Sequence, residues 1–108
     1  MFDNAYASLL EDLSDRGLLN STIVVAMGEF GRTPKINSAG GRDHWQHCWS
    51  VLISGGPLKC GTVLGASDNI GAEPKDRPVT PGEIEATICK ALGIAATSGA
   101  HPIGELFI

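Results

Sequence analysis

Two short stretches concentrate the side chains that can do chemistry. The first is Gly28-Glu29-Phe30-Gly31-Arg32-Thr33-Pro34. Glu29 can bind a hard or borderline cation through oxygen or act as a general base, and the planar fork of Arg32 can hold a phosphate or sulfate. The second is Gly40-Gly41-Arg42-Asp43-His44-Trp45-Gln46-His47-Cys48-Trp49. Here an aspartate, two histidines and a cysteine supply carboxylate, imidazole and thiolate, the donor types that zinc takes. The spacing His44-x-x-His47-Cys48 matches no zinc-finger pattern, and a closed structural site needs a fourth ligand from elsewhere. Each stretch also has a structural reading. Glu29 and Arg32 can pair with one another or with loop backbone, His47 and Cys48 read as packing residues at a strand edge, and Trp45 and Trp49 can either cover a sheet end or stack on a substrate. Asp68, Asp76 and Arg77 read as turn and surface residues. No GxxxxGK[ST], GxSxG or HExxH pattern occurs, so those catalytic classes have no support.

The elements that position these residues follow from periodicity. Phe2, Tyr6, Leu9, Leu10 and Leu13 draw one apolar stripe and predict a helix from about Asp3 to Arg16, stopped by Gly17 in the left-handed C′ position. Thr22-Ile23-Val24-Val25-Ala26-Met27 is β-branched with no polar alternation, which predicts a central parallel strand covered on both faces. Its carboxyl end leads into Glu29 and Arg32, and open α/β sheets bind ligands at that end. Trp49 to Ser54 predicts a second, weaker strand. Residues 54 to 82 are rich in glycine and proline and predict loops, with at most one short strand at Thr62-Val63-Leu64. Thr80-Pro81-Gly82-Glu83 combines an N-cap threonine, proline at N1 and glutamate at N3, a capping box that opens a second helix. Ile84, Ile88, Ala91 and Leu92 form its expected apolar face, and Gly93 its stop. The predicted fold class is α/β, a layer of mostly parallel strands with flanking helices.

Composition bounds the function. The 108 residues carry 8 Lys+Arg against 12 Asp+Glu, a formal charge of −4 that excludes a strongly basic nucleic-acid binder. With 43% hydrophobic and 19% charged residues the composition is that of a globular chain. The longest aliphatic run, Ile23 to Met27, is far short of the roughly 20 residues a membrane span needs. The first residues show neither a basic n-region nor an apolar h-region, so no secretory signal is visible. Cys48, Cys60 and Cys89 are an odd set without a CxxC pair, and are expected to be reduced and half-buried.

The run Thr22 to Asn37, with Gly41-Arg-Asp-His-Trp45, Gly61-Thr-Val-Leu-Gly-Ala-Ser-Asp68, Asp76-Arg-Pro-Val-Thr-Pro81 and His101 to Phe107, resembles the carboxyl-terminal part of the bacterial domain of unknown function 1501. That family is sulfatase-like and belongs to the alkaline phosphatase-like superfamily. The resemblance implies one segment, residues 1–108, of a partial alkaline phosphatase/sulfatase-like sandwich. It implies a nucleophile and further metal ligands in an amino-terminal half outside this chain, so that the segment is not catalytic alone. It also implies a divalent metal, zinc or manganese ahead of calcium. Glu29 stands where the superfamily has an Asp-His pair and His44 aligns with its final metal-binding histidine; these two, with Asp43 beside His44, are the expected metal ligands, and Arg32 is the substrate-binding anion clamp. Glu29 and His44 are expected to converge at the end of the strand through Met27. Phe30 departs from the pattern, since it cannot bind metal. Two function classes follow: a metal-dependent hydrolase of phosphate or sulfate esters, or a non-catalytic relative that keeps the fold to bind a ligand, a glycan or a protein partner. The family resemblance suggests an exported full-length protein, and a segment without its sheet neighbours is expected to self-associate.

Overall fold

Local signals at the two ends of the chain produce the two helices. In a computed structural model covering residues 1–108, α1 spans Phe2–Asp15 and α2 spans Pro81–Leu92. Helix α1 stops as its sequence predicts: Gly17 N–H donates to the Ser14 carbonyl at 2.9 Å and Leu18 N–H to that of Leu13 at 2.8 Å, the paired bonds of a Schellman end. Helix α2 opens on the expected capping box. Glu83 N–H donates to Thr80 Oγ1 at 3.2 Å while Thr80 N–H donates to Glu83 Oε2 at 2.8 Å. Gly93 closes it with a left-handed φ of 72°. Thr80→Ala should therefore lower stability by about 1 kcal/mol. A urea midpoint unchanged within error would show that this cap contributes nothing.

The sheet corrects the prediction of mostly parallel strands. β1, Ile23–Met27, pairs antiparallel with β4, Val51–Gly55, with Val25 opposite Ile53. Between them β2, Gly31–Arg32, and β3, His44–Trp45, make a second antiparallel ladder. A third joins β5, Ala66–Ser67, to β6, Pro74–Asp76. The molecule is thus two helices with three two-stranded antiparallel sheets, and not a partial sandwich of parallel strands. The physical reason lies in the connection. A parallel neighbour needs a crossover, usually helical, whereas residues 28–50 run out and back as a hairpin and return the chain in the opposite sense. Nor is β1 covered on both faces, since Ile23 to Ala26 are half-buried and Met27 is 56% exposed. Thr62-Val63-Leu64 is not a strand. Val63 projects 95% exposed between Gly61 and Gly65, both at positive φ, and strand pairing occurs at β5 and β6 instead.

The fully buried side chains, Leu58, Ala86, Thr87 and Ile103, lie where α2 meets the loop after β4 and the carboxyl-terminal segment. The expected apolar face of α2 is rotated accordingly. Ala86 and Thr87 are buried, Ile84, Ile88 and Ala91 half-buried, and Leu92 exposed. Thr87 is tolerated there because its hydroxyl donates to the Glu83 carbonyl at 2.6 Å and accepts from Ile103 N–H at 2.9 Å. The chain then straps back along residues 57–59. Lys59 N–H donates to the Leu106 carbonyl at 2.8 Å, and the Lys90 ammonium sits 4.3 Å above the Phe107 ring. Arg77, read from the sequence as a surface residue, ties these parts together. Its guanidinium donates at 2.9 Å to Glu105 and at 2.9 Å to Glu83, and those two carboxylates push its pKa up, Glu105 more than Glu83.

Glu85 fastens the segment after α2. Its carboxylate accepts from Thr97 N–H at 2.9 Å, Thr97 Oγ1 at 3.1 Å, Ser98 N–H at 3.3 Å and the Ser98 hydroxyl. These donors, the Ser98 hydroxyl foremost, hold its pKa at about 2 against an ordinary 4.5. Because the folded-state value is depressed, the stabilisation is complete above about pH 4.5 and is lost as the pH falls through about 2. The amides of Thr97 and Ser98 should lose protection from hydrogen exchange across that window, whereas in Glu85→Gln they should be unprotected already at pH 6. Equal protection in the two proteins would remove the clamp from the account.

The surface is large for the mass. An 11.3 kDa chain exposes 7428 Å², where a compact monomer of that mass would expose about 5,700 Å². The radius of gyration is 15.7 Å, against about 13 Å for a compact domain of this length. Roughly 1,700 Å² of this chain thus remains outside any core it builds alone.

Candidate functional site

The hairpin β2–β3 carries both chemistry-bearing stretches, and strand geometry sorts their side chains. Successive side chains of a strand point to opposite faces, and residues directly opposite on an antiparallel ladder share a face. Arg32 pairs with His44 and Gly31 with Trp45. Arg32 and His44 therefore stand side by side on one face. Phe30, two residues before Arg32, joins them: its ring centroid lies 4.0 Å from that of His44, and the Arg32 guanidinium carbon lies 5.8 Å from the same centroid. The result is an aromatic shelf with an imidazole and a guanidinium resting on it. Arg32 and His44 are exposed, and Arg32 is steadied by donating to the Arg42 carbonyl at 3.4 Å. An exposed guanidinium next to an imidazole can bind a tetrahedral oxyanion, and the imidazole can hold a metal or transfer a proton.

Asp43 and Trp45 occupy the opposite face. Thr33 N–H donates to the Asp43 carbonyl at 3.0 Å, which extends the ladder by one position. Asp43 Oδ1 accepts from Asn37 Nδ2 at 3.0 Å, and Trp45 Nε1–H donates to the Ala72 carbonyl at 2.8 Å. The tip of the hairpin is rigid for a stated reason. Asn37 Oδ1 accepts from both Ala39 and Gly41 N–H at 3.0 Å, while Arg42 Nη1 clips the carbonyls of Thr33 and Pro34 at 2.7 and 2.6 Å. Glu29 lies exposed between the end of β1 and Phe30 and enters no ion pair, so it does not pair with Arg32. His47 is 3.6 Å from Glu73 and sets its ring edge-on to Trp45, and Cys48 is half-buried beneath the hairpin, whose Gly31 it abuts.

With this geometry in view, a family model described as "Protein of unknown function (DUF1501)" matches residues 1–105. The chain belongs to the DUF1501 family. No curated protein and no solved structure matches it. In this DUF1501 chain no helix is long and apolar enough to cross a membrane. No three His, Cys, Asp or Glu side chains gather closely enough to hold an ion between them. Within the expected ligand set, Glu29 and His44 supply one oxygen and one nitrogen donor, both exposed and neither in an ion pair. Asp43 is committed to Asn37 on the other face. Asp76 is exposed, and Asp68 caps its own turn by accepting from Ala72 N–H at 2.8 Å and Ile70 N–H at 3.2 Å; these bonds, Ala72 foremost, lower its pKa. All three cysteines are free thiols, Cys48 and Cys89 half-buried and Cys60 exposed.

Phe30, marked by its residue type only as a position that cannot bind metal, forms the shelf beside Arg32 and His44. Its place at two-residue spacing before Arg32, in a segment opposite His44, was the available signal for a shared face. Asn37 carries no comparable signal in the sequence, yet its side chain both orders the hairpin tip and orients Asp43.

Proposed function

We propose that this chain is the carboxyl-terminal part of a sulfatase-like member of the alkaline phosphatase-like superfamily, a metal-dependent hydrolase of phosphate or sulfate esters that is not catalytic without its other half. The observation that carries the reading is the cross-strand pairing of Arg32 with His44 on one exposed face of the hairpin that follows β1. The large surface left outside a core supports the reading of a segment completed by further chain. Arg32 would grip two oxygens of the ester's anionic group through its fork. His44 and Glu29 would hold a zinc or manganese ion, with Asp43 orienting the strand that carries His44. Such an ion, when bound, polarises an ester oxygen.

One observation favours the second reading, a non-catalytic relative that binds a ligand, a glycan or a protein partner. Phe30 lies against the His44 ring at 4.0 Å, where a second metal-binding imidazole would otherwise stand. The two readings separate in the longer protein that contains this segment. Bound zinc and manganese and the hydrolysis of p-nitrophenyl phosphate and p-nitrophenyl sulfate should be measured for wild type, Glu29→Gln, His44→Ala and Arg32→Ala. The hydrolase reading expects His44→Ala and Glu29→Gln to lose metal, His44→Ala to lose about 100-fold in kcat/KM, and Arg32→Ala to raise KM about tenfold. Wild-type protein that binds metal without turning over either ester would support the non-catalytic relative. Metal content and turnover identical in all four proteins would sink the assignment of these residues.

A further inference from the structure

The face of the hairpin opposite His44 holds a groove of about 600 Å³ that none of the chemistry above uses. Its apolar walls are Ile36, Trp45, Ile70 and Ala72, and its polar rim includes Lys35 and Asp43. Three features make it a site and not merely a crease. The Trp45 ring is held in place, because its only N–H is spent on the Ala72 carbonyl at 2.8 Å and the His47 ring stands 4.8 Å from it; what the indole adds to the lining is apolar surface. Ile36 and Ile70 are 50% and 70% exposed, so the apolar walls stand open to solvent at an energetic cost that a ligand would relieve. Finally, Asn37 and Asp43 are joined by one hydrogen bond of 3.0 Å. That bond uses Asp43 Oδ1 and one amide hydrogen, leaving Asp43 Oδ2 as an acceptor and the second Asn37 N–H as a donor on the same hydrogen-bonded pair.

An acceptor and a donor next to an aromatic plane define the ligand by chemistry. Two adjacent hydroxyls satisfy them together, one donating to Asp43 Oδ2 and the other accepting from Asn37 Nδ2–H. A ring that carries such a diol on its edge and C–H bonds on its face is a pyranose. A phosphate-bearing ligand gains no net attraction, because Lys35 and Asp43 oppose one another in charge at the same rim. We propose that this groove is a carbohydrate site, in which a pyranose ring lies on Trp45 and presents a vicinal diol to the Asn37–Asp43 pair. The inference does not rest on the ester-hydrolase reading, whose Arg32 and His44 lie on the other face of the ladder; Asp43 is the one residue the two readings share.

The test is nitrogen-15 NMR on the full-length protein, reading the Trp45 indole N–H and the Asn37 side-chain amide during titration. The probes are the methyl α-pyranosides of glucose, galactose and mannose, whose diols differ in geometry, with adenosine and inorganic phosphate in parallel. At least one pyranoside should shift both signals in a saturable way at millimolar concentration. Trp45→Ala should weaken that binding at least tenfold. Trp45 also anchors residue 72, so Asp43→Asn provides the conservative check; it keeps the bond to Asn37 and should weaken binding several-fold with unchanged far-ultraviolet circular dichroism. No shift with any pyranoside, shifts confined to the Phe30–Arg32–His44 face, preference for adenosine or phosphate, or affinity unaltered in Asp43→Asn would each overturn the proposal. Loss of metal or of ester hydrolysis moves none of these readouts, so the two assignments fail separately.

Discussion

Gly55→Ala is expected to remove most of the stability of the chain. Gly55 is buried at the end of β4 with φ of 92°, and a Cβ built on it would stand 2.0 Å from the Thr22 carbonyl oxygen and 3.1 Å from that of Leu19. The contacts are backbone, so no side chain can swing aside. Relief requires β4 to part from the start of β1, where Gly55 pairs with Ile23, and from residue 19, to which Gly56 N–H donates at 2.9 Å. Backbone strain and steric overlap together should cost about 4 kcal/mol, out of a total of about 5–15 kcal/mol for a chain of this length. With so few buried side chains the total belongs near the lower end. Urea unfolding read by circular dichroism measures it as a fall in midpoint at constant slope. Gly71→Ala is the control: φ there is 71°, nothing lies within 4 Å of the added Cβ, and only the left-handed penalty of about 1 kcal/mol should appear. Equal midpoint shifts in the two variants would show that the close approach at Gly55 is not what requires glycine.

Gly31→Ala is expected to detach the hairpin that carries the candidate site. Gly31 has no unusual φ; what it lacks is room, since an added Cβ would stand 1.9 Å from the Cys48 carbonyl oxygen and 3.2 Å from that of Trp45. The chain after β3 must move away from β2, and Arg32 and His44 lose the alignment that their pairing imposes. The expected loss is about 3 kcal/mol, accompanied by disappearance of the ring-current shift that Phe30 imposes on the His44 ring protons. Gly28→Ala, three residues earlier, meets nothing closer than 3.5 Å and should change stability by less than about 0.5 kcal/mol. A Gly31→Ala protein with wild-type midpoint and an unmoved His44 spectrum would mean that the hairpin does not pack on Cys48 as described.

What the sequence determined by itself is local. The stripe from Phe2 to Leu13, the stop at Gly17, the capping box at Thr80 and the stop at Gly93 depend on residues within one or two turns of one another, and each forms where it was expected. The strands at Ile23–Met27 and Val51–Gly55 were legible for the same reason, as β-branched runs bounded by glycine and polar residues. Their direction was not legible. An apolar run without alternation marks a strand, but whether its neighbour runs parallel depends on the route of the intervening 23 residues, and that route is decided by long-range contacts such as Gly31 against Cys48 and Trp45 on Ala72. The site divides along the same line. Residue types marked Glu29, Arg32, Asp43 and His44 as able to do chemistry, because donor chemistry belongs to the side chain alone. Which of them share a face was settled only by the β2–β3 register, which puts Arg32, His44 and Phe30 together and turns Asp43 and Trp45 away. A strand reverses the side of its side chains at every residue, so a difference of one position in register, invisible in the sequence, exchanges one face for the other.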